Sequence, residues 1–316
     1  MYEQISANKW KSFLMVFIFV AFVLGIGCVI GLAWGGPDGW YFGLIAAFAI
    51  ALIMGLTSYY RSDAVALRLS GARLVAEGEQ IRYRNTVEGL AIAAGVPTPK
   101  IYVIDSPAMN AFATGRNPAH SSVAATAGLL EAMNDQELEG VIAHEMSHIK
   151  NYDILLMTLT VVLVGTVILL SDIFLRTFWF AGDGDDSDSG SAGIILLVIG
   201  IVMAILAPII AQLIKLAISR KREYLADANG ALLTRYPPGL ASALGKLSDD
   251  NRQLRTANKA TAHLFIIQPL KSEKGVRGSR LNRMFDTHPP IEDRIRRLEQ
   301  MAGSFVPGQP GEAAWE

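Results

Sequence analysis

Four long apolar runs without a charge decide most of what this chain can become. Ser12 to Trp34 carries no charged residue, and neither does Gly39 to Thr57. Ile154 to Ser171 is also uncharged, with Asp172 and Arg176 following it. Ile194 to Ile214 is interrupted only by Pro208 and Gln212. Each run holds about the 20 residues a helix needs to cross a bilayer. The competing reading, buried helices of a soluble core, asks one core to hold four such stretches. Composition sides with the membrane: 51% of the 316 residues are hydrophobic and 18% are charged. The first run is too long for a cleaved signal and lacks a clear small-residue cleavage site, so it reads as an uncleaved anchor.

Charge in the loops orients the spans. Lys9 and Lys11 precede the first, and Arg61, Arg68 and Arg73 follow the second. The loop after the third carries Asp183, Asp185, Asp186 and Asp188 without Lys or Arg, and the fourth exits into Lys215, Arg220, Lys221 and Arg222. Positive charge gathers on one side, which is then the cytoplasm. Both termini and both large polar segments fall there. A net charge of -1 gives no argument for a nucleic-acid partner. The expected organisation is a transmembrane hairpin over 1–58, a cytoplasmic segment over 59–153, a second hairpin over 154–218, a second cytoplasmic segment over 219–302 and a flexible tail over 303–316. The fold expected is mainly α: a multi-pass membrane protein with four transmembrane helices and a cytoplasmic α+β domain carrying a small sheet.

In the first cytoplasmic segment the pattern predicts helices over Ala64 to Ala76 and Tyr83 to Ala94, with a break at Val96-Pro97. Lys100 to Asp105, Phe112 to Ala113 and Ser122 to Thr126 read as strands, the last two joined by a turn at Gly115 to Pro118. Asn134, with Glu137 three residues on, caps a further helix. Leu138, Val141, Ile142, Met146 and Ile149 keep helical spacing along it. The second segment is mostly helical and ends in a helix over Ile291 to Met301, with a mobile loop over Lys271 to Arg280.

The chemistry sits on the capped helix. His144 and His148 are four residues apart, so both imidazoles leave one face, and Glu145 lies beside them. That His-Glu-Met-Ser-His run is the pattern of a zinc site with a carboxylate general base; a structural His pair is the bland alternative. A catalytic zinc takes three protein ligands and an open position. Glu223 and Asp227 share a helical face just after the fourth run, so Glu223 suits the third ligand and Asp227 a partner for a ligand imidazole. An i,i+4 salt bridge in this Lys/Arg-rich stretch is the competing reading. However, at about 1.5 Å per residue both ligand sets lie on the order of 10 Å from the membrane face, on helices a hairpin would bring together.

These residues closely resemble the HtpX-type membrane zinc metallopeptidases, relatives of the CAAX prenyl endopeptidases. The likeness covers Ser62 to Leu298 and rests on Asn110 to Pro118 (Asn-Ala-Phe-Ala-Thr-Gly-Arg-Asn-Pro), Leu138 to His148, Arg222 to Asp227, and Thr287 to Pro290 followed by Arg294. It implies a zincin, gluzincin-like peptidase domain. It also implies one Zn2+ held by His144, His148 and Glu223, Glu145 as catalytic base, and an inner-membrane endopeptidase working on polypeptides in membrane-protein quality control and stress response. The oxyanion of the reaction needs a donor. His288 is the candidate, with Arg294 behind it, against a plain turn histidine capping the last helix. Ala111, Phe112 and Ala113 offer an edge for an extended substrate, or an ordinary core strand.

Other signals are weaker. His120 and His263 lack ligand spacing and read as surface or helix histidines. The acidic loop at Asp183 to Asp188 lacks the glycine and glutamate of a calcium loop. The lone Cys28 cannot form an internal disulfide. An intramembrane protease is disfavoured because Glu137, Glu139 and Lys150 flank the His pair. A transporter or scaffold with a structural metal would place ionisable groups in its spans or supply a fourth ligand.

Overall fold

The computed structural model describes residues 2–165, 219–254, 256, 261–267, 269 and 289–304. By contacts the chain forms two compact units. The first comprises Met1–Asn8, Asp63–Thr158 and Ile218–Glu316; the second comprises Lys9–Ser62 and Leu159–Ala217.

Helix α1 (Tyr2–Gly35) and helix α2 (Gly39–Leu69), which lie in the second unit from Lys9 to Ser62, form a hairpin through the short 3-10 turn Gly36–Asp38. Gly27 and Gly31 of α1 pack directly on the backbone of Gly43 and Gly39 of α2, a close seam that a side chain would force apart. Outward from this seam stand large apolar side chains, among them Phe13, Phe17, Phe42, Ile45, Phe48 and Ile53, all exposed. Such a surface suits lipid rather than water. Among the described residues, Ile5–Cys28 and Gly39–Leu69 are long and apolar enough to cross a membrane. The third expected span is described only as helix α6 (Asp153–Gly165). The rest of it, the whole fourth span and the acidic loop lie outside the described residues.

The first unit combines a four-stranded sheet with helices. Strand β1 (Ala72–Leu74) pairs antiparallel with β2 (Lys100–Ile104). β2 runs parallel to β4 (His120–Thr126), and β4 is antiparallel to β3 (Ala111–Asn117). The order is β1-β2-β4-β3, which leaves β3 at one edge. Helix α3 (Ile81–Ala94) precedes β2, and the short α4 (Ala127–Ala132) follows β4, capped by the Thr126 hydroxyl accepting from the Leu129 N–H. Helix α5 (Asp135–Lys150) then leads to α6; beyond the undescribed stretch come α7 (Arg220–Thr234), α8 (Pro237–Asp249) and α9 (Ile291–Ser304).

Two expectations change. The helix expected over Ala64 to Ala76 stops at Leu69, and Ala72–Leu74 is a strand. Gly71 takes φ +68, which ends helical progress and delivers the next residues to the edge of β2. The turn expected at Gly115 to Pro118 lies later, because β3 continues to Asn117 across a register irregularity between Gly115 and Asn117.

α5 is the centre of this unit and is buried from Glu137 to Ile149 save one residue. The five apolar positions read from its sequence all have no exposed surface. It packs against β3, α3, α7 and α8. Two glycines permit this. A Cβ on Gly140 would sit 2.6 Å from the Leu240 amide nitrogen of α8. One on Gly230 of α7 would sit 3.0 Å from the His144 nitrogen. Close approach of α7 brings its carboxylates to the imidazoles of α5.

Candidate metal centre

Asn134 opens α5 with a complete capping box: its side chain accepts from the Glu137 N–H, while the Glu137 carboxylate accepts from the Asn134 N–H. With its start fixed, the helix points His144 and His148 at α7. Their Nε2 atoms lie 3.2 Å apart. Glu223 reaches both, Oε1 to His148 Nε2 at 3.5 Å and Oε2 to His144 Nε2 at 3.8 Å. All three groups are buried.

The outer nitrogens are anchored. His144 Nδ1 donates to Asp227 Oδ1 at 2.9 Å, and His148 Nδ1 to Asp153 Oδ2 at 3.0 Å. These bonds leave both Nε2 atoms facing each other and a carboxylate, where each carries either a proton or a lone pair. A proton, a hydrogen-bond donor or a cation satisfies such a buried set. The distances suit a metal, since tetrahedral ligands about 2.0–2.1 Å from zinc stand roughly 3.4 Å from one another. Two imidazoles and one carboxylate are the donor set of an open zinc site.

Asp227 is held in turn by Arg294 of α9, whose Nε and Nη2 donate to its two oxygens at 2.8 and 2.7 Å. Burial works against the Asp227 carboxyl ionising, yet Arg294 and His144 outweigh it and hold the group at about 2. Burial lowers His144, against the pull of Asp227. It would lower His148 too, but Asp153 and Glu223 prevail and lift that imidazole to about 9. Glu145 is moved the other way: burial raises it to about 7, in spite of His148, the Ala113 N–H and Arg294. A buried carboxyl poised near neutrality is suited to taking and returning a proton.

A family model described as Peptidase family M48 matches residues 77–302. A curated relative named Protease HtpX homolog, from Dictyoglomus thermophilum, is 46% identical over 300 residues, covering 95% of this chain and 94% of its own. Another of that name, from Tropheryma whipplei (strain Twist), is 45% identical over 305 residues, covering 96% of this chain and all of its own. The chain belongs to peptidase family M48. Within it, the chain is an HtpX-type protease, and so a membrane metallopeptidase. A solved structure titled "Crystal Structure of S. mikatae Ste24p" is 20% identical with a TM-score of 0.48; the match covers 94% of this chain and 66% of that one.

For a peptidase of this family, the structure brings together His144, Glu145, His148, Glu223, Asp227 and Arg294. His288 lies outside the described residues. Arg294 has no exposed surface; besides Asp227 it donates to the Ile266 carbonyl, so three of its five N–H groups are engaged within the protein. Ala111, Phe112 and Ala113 are buried on the edge strand, where the Ala111 carbonyl accepts from the Ile266 N–H and Phe112 meets the Phe265 ring. His263 is buried rather than superficial and bonds the Met157 carbonyl. Asp153 was not singled out from the sequence. Its one local signal is a short polar interval, Asn151-Tyr152-Asp153, between the His helix and an apolar run. There Tyr152 takes φ +60 and turns the chain so that Asp153 opens α6.

Proposed function

We propose that the chain is a zinc-dependent endopeptidase of the inner membrane that cleaves misfolded or damaged membrane proteins at the cytoplasmic face. The observation that carries this reading is the convergence of His144 Nε2, His148 Nε2 and the Glu223 carboxylate, with Glu145 adjacent. His144, His148 and Glu223 would hold one Zn2+. When bound, zinc supplies Lewis acidity, lowering the pKa of a water to about 7 and polarising a peptide carbonyl. Glu145 takes the proton from the attacking water and returns it to the leaving amine nitrogen. Asp227 keeps the Nε2 lone pair of His144 aimed inward, with Arg294 fixing Asp227. His288 donates to the oxyanion. An extended substrate would pair with β3 along Ala111 to Ala113 only by displacing the Ile266 N–H from the Ala111 carbonyl; backbone pairing of that kind would favour broad sequence tolerance.

The proposed organisation keeps two transmembrane hairpins, 1–58 and 154–218, with peptidase segments 59–153 and 219–302 on the side of the positive loops. Sealed inside-out membrane vesicles carrying the protein test this placement. Cleavage of an added, impermeant unfolded polypeptide without detergent is expected. Cleavage that begins only after detergent would contradict it.

A further inference from the structure

The partner of His148 comes with a partner of its own. Asp153 Oδ2 takes the imidazole Nδ1–H, and Asp153 Oδ1 accepts from Asn8 Nδ2 at 2.6 Å. The same Asn8 amide donates to the Asn151 carbonyl at 3.0 Å, and its oxygen stands 3.4 Å from Arg222 Nη1. Arg222 Nε lies 3.6 Å from Asp153 Oδ1 and belongs to the residue before Glu223. Asn8, Asp153 and His148 are 3%, 2% and 3% exposed. Asn8 sits in the early turns of α1, within the compact unit that holds the peptidase elements.

The arrangement mirrors the one on the other imidazole. His144 is oriented by Asp227, which Arg294 grips; His148 is oriented by Asp153, which Asn8 and Arg222 grip. A carboxylate on Nδ1 fixes the tautomer and makes Nε2 a stronger donor to a metal. Asp153 opens α6 just past a left-handed residue, and its carboxylate lies on His148 Nδ1. Asn8 donates to its other oxygen from 145 positions away in sequence.

We propose that Asp153 is a positioning residue for the metal ligand His148 and that Asn8 holds Asp153 in place, making the first turns of α1 part of the metal centre. This inference rests on the zinc reading above. The competing reading, a buried polar cluster that only stabilises the fold, predicts different metal binding.

The test uses full-length protein in detergent, stripped of metal and titrated with Zn2+ against a chromophoric chelator. The visible spectrum of the Co2+-loaded protein reports ligand geometry. Asp153→Ala is expected to weaken zinc by about 10–100-fold and to alter the Co2+ spectrum. Asp153→Asn, which keeps an acceptor for Nδ1–H but loses the charge, should bind zinc more weakly than wild type and more tightly than Asp153→Ala. Asn8→Ala should weaken zinc roughly three- to tenfold. The double variant Asn8→Ala/Asp153→Ala should bind no more weakly than Asp153→Ala, since the two act in series. Unchanged zinc affinity in Asp153→Ala, or losses that simply add, would overturn the proposal. Should Asp153→Ala not fold in the metal-free state, Asn8→Ala decides alone: wild-type affinity and spectrum overturn it. His144→Ala is the reference. If wild type binds zinc no better than His144→Ala, the metal reading itself fails, and that is distinguishable from failure of Asp153 or Asn8.

Discussion

Arg294 has no exposed surface, and its guanidinium meets both oxygens of Asp227 while a third donor takes the Ile266 carbonyl. A buried ion pair of this kind is tolerated because both carboxylate oxygens and three of the five guanidinium N–H groups find partners. Removing one half is another matter. Arg294→Ala leaves Asp227 charged and buried, and should lower unfolding free energy by about 3–5 kcal/mol in denaturant titration. Arg294→Lys should recover only part of that, because an ammonium cannot match both carboxylate oxygens in one plane. Asp227→Asn is the gentler probe. It keeps an acceptor for His144 Nδ1–H but loses the charge, so zinc affinity should fall by about tenfold or more with the fold intact, read by chelator competition.

At the scale of elements, α5 carries both imidazoles of the candidate site and is tied to α8 through its first turn. The Glu137 carboxylate accepts from the Asn134 N–H, from the Ser242 hydroxyl at 2.7 Å and from Lys246 Nζ at 2.6 Å, the last two on α8. Burial would raise this carboxyl, but Lys246, the cap and Ser242 together hold it below the ordinary range. A carboxyl depressed in the folded state adds stability that is fully present above its unfolded value of 4.5 and is lost as pH falls through its lower folded value. Thermal unfolding of wild type should therefore show an acid-side loss that Glu137→Gln lacks. At neutral pH, Glu137→Ala should cost about 1–3 kcal/mol, since it strands three donors.

Much of α5 was readable in advance, because cap, periodicity and the His-Glu-Met-Ser-His spacing are all local. Glu223 and Asp227 were readable for the same reason: one turn separates them. β1 was not. Ala72, Arg73 and Leu74 are good helix formers, and only their pairing with β2 makes them a strand. Asp153 and Asn8 were missed because a hydrogen bond between residues 145 apart leaves no trace in either neighbourhood. For β3 the sequence offers an edge or a core strand and does not choose between them, since strand order is a property of the whole sheet.

The chain carries both a candidate metal site and a hairpin of two helices long and apolar enough to cross a membrane. Metal that binds the folded state alone stabilises it by mass action, about 4 kcal/mol at a thousandfold excess over Kd. Chelation should thus lower the thermal midpoint of wild type, and zinc should restore it; the midpoint of His144→Ala should respond to neither. The central claim is that Glu145 is the proton carrier beside a zinc held by His144, His148 and Glu223. Its most direct test is paired: zinc content and the cleavage rate of an unfolded polypeptide, for wild type and Glu145→Gln, in the same detergent. The account predicts one zinc per chain in both and a rate in Glu145→Gln reduced by about 10²–10⁴-fold. Equal cleavage by the two proteins would contradict it.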